Sequence, residues 1–167
     1  MTWHQIVYLV LLGTAFAYSL ARGGKPERYV ATAILIASFA SAAVIPWTPR
    51  VRGVLTGVLA VDLVLMGVLV AVALRADRRW PLTVAAMHAV AVMGHLVQLT
   101  KAGLNGTVYG FLIIAWSFPM LMVVIVATWR HQRRERAVGP EPDWSKPPVE
   151  TPATHTGDRR LRPSAQD

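Results

Sequence analysis

The chain contains no cysteine. Disulfide bonds, thiolate zinc sites and cysteine nucleophiles are therefore excluded. Acidic residues are also scarce, with nine Asp and Glu against seventeen Lys and Arg. The sequence has no recognisable catalytic motif. We therefore expect a non-enzymatic protein without a cofactor or a metal ion.

Long apolar stretches dominate the rest of the sequence. They cover residues 3–21, 29–47, 54–74, 81–100 and 107–129. Each has roughly 20 residues, which as a helix cross a hydrocarbon core of ~30 Å. Lipid offers no hydrogen-bond partners to the backbone, and the alternation typical of barrel strands is missing. The sequence thus predicts an all-α, five-helix transmembrane bundle, with up-down topology because the connections are short.

The last part of the chain has a different composition. From residue 138 onwards it contains six prolines, mixed charges and few large apolar residues. Such a segment cannot bury enough apolar surface to offset the entropy of ordering. We expect a transmembrane domain over residues 1–136 and a disordered cytoplasmic tail over residues 137–167 that makes no packed contact with the bundle.

The net charge of +8 comes with an uneven placement of basic residues at the ends of the predicted spans. Ten lie on one side: Arg22, Lys25, Arg28, Arg75, Arg78, Arg79, Arg130, Arg133, Arg134 and Arg136. Only Arg50, Arg52 and Lys101 lie on the other. The positive-inside rule then predicts that the N-terminus lies outside and the C-terminus lies in the cytoplasm. Basic residues at this level meet lipid headgroups, so we expect no nucleic-acid partner.

Four polar side chains inside the predicted spans form a candidate intramembrane site. They are Asp62, His88, His95 and Gln98. An acid inside the bilayer is costly and is therefore a functional candidate, although a neutral Asp can also serve as a structural interhelical hydrogen-bond partner. Counting residues from the outer ends of the third and fourth segments places Asp62 and His95 at similar depth. We expect them to be able to touch, either as a proton relay or as a structural pair.

The histidines also raise the alternative of a b-type haem protein. Haem needs axial ligands on facing helices. The remaining histidines, His4, His131 and His155, are poorly placed opposite His88, so haem would require His4 with His95 or a homodimer. Asp62, His88 and His95 are too widely spaced along the helices to share one metal ion.

Small residues predict where helices pack closely. Gly53 and Gly57 form one small-xxx-small pair, and a second series joins three residues of the second segment: Ala33, Ala37 and Ser41. These faces are candidate contacts with other membrane subunits or with a second copy of the chain, in addition to the lipid bilayer. Pro119 predicts a kink in the fifth segment.

Two stretches of the sequence carry a family resemblance. They are Arg75-Ala76-Asp77-Arg78-Arg79-Trp80-Pro81-Leu82, and Ala115-Trp116-Ser117-Phe118-Pro119 followed by Thr128-Trp129-Arg130-His131. Together they resemble a family of small uncharacterised multi-pass membrane proteins from alphaproteobacteria, over roughly residues 60–135. The resemblance implies a bacterial inner membrane and an ordered turn at residues 76–78, and it carries no activity.

Two functions of different kinds are compatible with these observations, with the haem protein as a third. The first is an accessory or scaffold subunit of a membrane complex. The second is a proton-coupled carrier of small solutes that works through Asp62, His95 and His88.

Overall fold

The computed structural model describes residues 3–100, residues 105–139 and Trp144. The chain is all-α, as the sequence predicts. Its helices are α1 (Trp3–Arg22), α2 (Lys25–Val44), α3 (Thr56–Arg75), α4 (Trp80–Leu99), α5 (Gly106–Ala115) and α6 (Ser117–Val138). A single turn of 3₁₀ helix, Ile45–Trp47, extends α2. Two short strands, β1 (Arg50–Val51) and β2 (Val54–Leu55), precede α3.

Helices α1 to α4 are each long and apolar enough to cross a membrane. The predicted fifth segment is divided into α5 and α6, with the break at Trp116. Pro119 explains the position of this break. Proline lacks the N–H that would bond the carbonyl of Ala115, and its ring collides with that carbonyl. The predicted kink is therefore present, as a change of helix rather than a bend within one.

Consecutive helices pack side by side, and α6 returns against α1, α2 and α4. The bundle thus has two distinct ends. We call the one that carries β1 and β2 the hairpin end, and the one where α1, α3 and α6 finish the basic end. The core consists of buried residues from α1, α2, α3, α4 and α6: Leu12, Ala15, Val30, Ala31, Ile34, Ala37, Leu65, Leu69, Val72, Val84, Ala85, Met120, Leu121 and Val124.

The two strands form an antiparallel hairpin, which the sequence did not predict. Its two central residues, Arg52 and Gly53, both have positive φ, at 50° and 86°. This is the geometry of a type I′ turn, whose twist matches that of the strands it joins. Gly53 therefore lies in the turn before α3, whereas Gly57 lies on the helix itself. Helix α3 begins only at Thr56.

The other small residues of the predicted faces pack largely within the chain. A Cβ on Gly57 would collide with the side chain of Thr48. Ala37 belongs to the core, and Ala33 packs against it. Helices α2 and α3 therefore pack closely against their neighbours through Ala33, Ala37 and Gly57 within one copy of the chain.

Helix α1 is held to the bundle by polar contacts as well as by packing. The hydroxyls of Tyr8 and Ser38 lie 2.7 Å apart, and those of Ser19 and Thr128 lie 3.1 Å apart. Serine and threonine commonly form such interhelical bonds in membranes. They join α1 to α2 and to α6.

Trp144 contacts the bundle at the basic end. Its backbone forms a bridge with Ala76, and its ring lies 5.9 Å from that of Tyr29. The side chain is half-buried against the core. The expectation that the tail makes no packed contact is therefore wrong at Trp144. Helix α6 continues to Val138, beyond the predicted domain end, and the predicted disorder otherwise lies outside the described residues.

We expect Trp144→Ala to lower the free energy of unfolding by about 1–2 kcal/mol. Truncation of a fully buried tryptophan to alanine typically lowers the free energy of unfolding by ~3–5 kcal/mol, and Trp144 is only partly buried. Chemical unfolding in mixed micelles measures the change. Trp47→Ala is the matched control, because Trp47 is 86% exposed. Equal stability of the two variants would show that Trp144 contributes nothing.

Candidate functional site

Asp62 lies in the second turn of α3 and meets both histidines of α4. The carboxylate Oδ2 is 2.9 Å from His95 Nε2, and the backbone carbonyl of Asp62 is 2.9 Å from His88 Nε2. Helical side chains lean towards the N-terminus of their helix, whereas carbonyls point towards the C-terminus. Because α4 runs antiparallel to α3, the side chain reaches His95 near the hairpin end, and the carbonyl reaches His88 deeper in the bundle. The predicted contact between Asp62 and His95 is present.

Tyr109 extends this pair to a third helix. Its hydroxyl oxygen lies 2.6 Å from His95 Nδ1, and the two rings meet edge to face at 5.5 Å. Sequence analysis did not single out Tyr109. Tyr109, His95 and Asp62 thus form a continuous hydrogen-bonded chain across α5, α4 and α3. We call it the Tyr–His–Asp chain.

The start of α5 sets the position of Tyr109. The Asn105 side chain accepts a hydrogen bond of 2.9 Å from the backbone N–H of Thr107, which caps the helix. The N–H of Tyr109 bonds to the carbonyl of Asn105 at 2.9 Å, one turn into α5. The connection from α4 is short, so this first turn lies at the depth of His95. The equal depth of Tyr109 and His95 in the bilayer could have been counted from the sequence and would have identified Tyr109.

The Tyr–His–Asp chain is enclosed to different degrees along its length. The His95 side chain is 1% exposed, and that of Asp62 is 16% exposed. A neutral imidazole donates through one nitrogen and accepts through the other. With Asp62 ionised, Nε2–H of His95 donates to the carboxylate and the hydroxyl of Tyr109 donates to Nδ1. With His95 protonated, Nδ1–H donates to Tyr109 instead. The same atoms therefore accommodate one proton more or one fewer without breaking a contact.

Gln98 belongs to a different contact from the one the sequence suggested. Its amide nitrogen donates to the carbonyl of Arg52 at 3.3 Å, while the Arg52 guanidinium donates to the carbonyl of Leu99 at 2.8 Å. These two hydrogen bonds hold the hairpin against the C-terminal end of α4. The structure thus places His88 and His95 in contact with Asp62, whereas Gln98 contacts the hairpin instead.

The ligand alternatives can be compared with this geometry. Both ring nitrogens of His95 take part in hydrogen bonds, so in this arrangement neither offers a lone pair to a haem iron. Within residues 3–100, 105–139 and 144, no three His, Asp or Glu side chains lie close enough to hold a metal ion.

A buried ion pair lies at the opposite end of the bundle. Arg78, in the turn before α4, donates to Glu27 Oε1 at 2.7 Å, and the Glu27 side chain is fully buried in the first turn of α2. The pair therefore links the connection between α1 and α2 to the connection between α3 and α4. Sequence analysis did not single out Glu27, although it is one of only three acids before residue 130.

These features define the class of protein. The four long apolar helices are compatible with an integral membrane protein, and the only acid within them away from their ends is Asp62. No protein family, curated protein or solved structure matches the chain.

Proposed function

We propose that this protein is a proton-coupled carrier of small solutes and that the Tyr–His–Asp chain is its proton-exchanging site. The observation that carries the proposal is the imidazole of His95 between a carboxylate at 2.9 Å and a phenol at 2.6 Å. Ionisable side chains inside membrane helices commonly serve proton transfer, and histidine is the side chain most suited to it near neutral pH.

The proposed mechanism uses the two states of the chain. A proton that arrives at His95 converts the pair with Asp62 into an imidazolium and a carboxylate. Loss of that proton restores the neutral imidazole, which keeps both of its hydrogen bonds. His88 holds the backbone of α3 at Asp62 through its bond to the carbonyl, so it orients the carboxylate without itself taking the proton.

Proteoliposomes provide the functional test. A pH-sensitive dye inside the vesicles reports proton movement when amino acids, monocarboxylates or sugars are added outside under an imposed pH gradient. We expect one of these classes to drive proton movement, and Asp62→Asn to abolish it because an amide cannot titrate. Asp77→Asn is the matched control, since Asp77 is an exposed acid at the basic end. Equal activity of Asp62→Asn and wild type, or no response to any class in the wild type, would contradict the proposal.

A second candidate is a non-enzymatic accessory or scaffold subunit of a membrane complex. The observation that favours it is the same chain of contacts, since hydrogen bonds that join α3, α4 and α5 also serve purely to hold helices together. Affinity purification in mild detergent tests this candidate. Co-purification of a membrane protein in a fixed ratio, together with no proton movement in the proteoliposomes, would favour the accessory subunit over the carrier.

We further propose that the protein lies in the inner membrane of an alphaproteobacterium, with the basic end in the cytoplasm. The uneven placement of Lys and Arg supports this orientation. Reporter fusions after Arg79 and after Arg136 should both read as cytoplasmic, and a fusion after Arg50 as periplasmic. A periplasmic signal after Arg136 would contradict an odd number of spans.

A further inference from the structure

A groove between the beginning of α4 and one face of α6 is not part of the Tyr–His–Asp chain. It lies at the basic end and has a volume of about 860 Å³. One stripe of α6 forms its wall: Pro119, Met122, Val123, Val126 and Ala127. From Pro119 to Ala127 this apolar wall spans nine residues, or about 12 Å along the helix axis. That is close to the ~15 Å depth of one leaflet of the hydrocarbon core.

The end of the groove nearest the basic end has the opposite character. Arg79, Arg130 and Arg134 line it together with a single acid, Asp77. Arg79 and Arg130 are exposed. Arg78 also borders the groove, but it donates to Glu27. The groove therefore changes along its length from an apolar wall to a rim with an excess of positive charge.

An indole N–H lies where the apolar wall meets the basic rim. Trp80 lines the groove, and its Nε1 is buried with no hydrogen-bond partner among the residues that the structure describes. A buried donor without a partner is unfavourable, so a ligand that supplies an acceptor there is favoured. At the membrane interface, the apolar ring of a tryptophan commonly faces the hydrocarbon while its N–H faces polar groups.

We propose that this groove binds one anionic phospholipid. Its phosphate lies between Arg79, Arg130 and the indole N–H of Trp80, and one acyl chain lies along the α6 wall from Ala127 towards Pro119. The apolar length of one leaflet and the charge at one end fit a lipid, whereas free phosphate would use only the rim. Basic pockets between membrane helices are a known form of headgroup recognition.

Thermal unfolding of the full chain in neutral detergent tests the proposal. Phosphatidylglycerol should raise the Tm, whereas phosphatidylcholine with the same acyl chains should raise it much less. Glycerol phosphate at the same concentration should have no effect, which separates a lipid from a free phosphate. Equal stabilisation by the two lipids, or stabilisation by glycerol phosphate alone, would overturn the proposal.

Variants assign the effect to the groove. Trp80→Phe removes only the N–H and keeps the ring, and Arg130→Gln removes one rim charge; each should lose at least half of the shift caused by phosphatidylglycerol. Val126→Trp should also reduce the shift by filling the wall. Arg136→Gln is the matched control, because Arg136 lies on the same helix but borders a different cleft, on the α1 side. If Arg136→Gln loses as much of the shift as Arg130→Gln, the lipid does not bind in this groove.

Discussion

Replacement of Arg78 by methionine should lower the free energy of unfolding by about 3–5 kcal/mol, the usual cost of removing one partner from a buried ion pair. Glu27 is fully buried, and its Oε1 accepts the 2.7 Å bond from Arg78. Its Oε2 has no hydrogen-bond partner within the described part of the chain. Without Arg78, the carboxylate would be a buried charge with no compensation.

A second substitution separates the ion pair from packing. Replacing both partners of a buried pair by apolar residues is often neutral. The double variant Glu27→Met with Arg78→Met should therefore recover most of the stability that Arg78→Met loses. Arg79→Met is the matched control, because Arg79 is exposed and surface substitutions usually change stability by about 0.5 kcal/mol or less. If Arg78→Met unfolds like Arg79→Met, the pair does not stabilise the fold.

Substitutions of Asp62 should separate its polar contact from its charge. Asp62→Leu leaves the buried imidazole of His95 without its partner and should cost on the order of 1–2 kcal/mol. Asp62→Asn keeps a hydrogen-bond acceptor at the same position and should be tolerated by the fold. Unfolding in mixed micelles measures both, and the difference between the two variants reports the contact alone.

A double-mutant cycle with Asp62→Leu and His95→Leu tests the pair itself. We expect a coupling energy on the order of 1 kcal/mol, as for other interhelical hydrogen bonds in membranes. The pair of Tyr8→Phe with His95→Leu provides a control, because Tyr8 bonds to Ser38 between other helices and should show no coupling. A coupling between Asp62 and His95 that is indistinguishable from zero would remove the pair from both the fold and the proposed mechanism.

The contact between Asp62 and His95 could be predicted from the sequence because depth in a bilayer can be counted. An antiparallel neighbour and a rise of 1.5 Å per residue suffice to align two side chains on consecutive helices. The same count applies to Tyr109, but aromatic residues are so common at the membrane interface that depth alone does not single one out. The sequence alone does not decide whether such a ring faces lipid or a histidine.

The missed contacts depend on information that no local pattern carries. Glu27 and Arg78 are fifty-one positions apart and meet only because α2, α3 and α4 pack as neighbours. The hairpin uses Arg52 and Gly53 in a turn that usually contains Asn-Gly, so its sequence signal is weak. Trp144 is a single large apolar residue among prolines and charged residues, so the average composition of the segment does not indicate that it packs against the bundle.

The hydrogen bonding of His95 tests the account most directly. Nitrogen NMR of histidine-labelled protein in bilayers reports the hydrogen bonds of each ring, and His95→Gln identifies the signal of His95. We predict that Asp62→Asn shifts this signal strongly, because it replaces the carboxylate that lies 2.9 Å from His95 Nε2. Asp77→Asn should leave the signal unchanged, because Asp77 is exposed at the basic end. An identical His95 signal in the wild type and in Asp62→Asn would contradict a proton-exchanging site built on this pair.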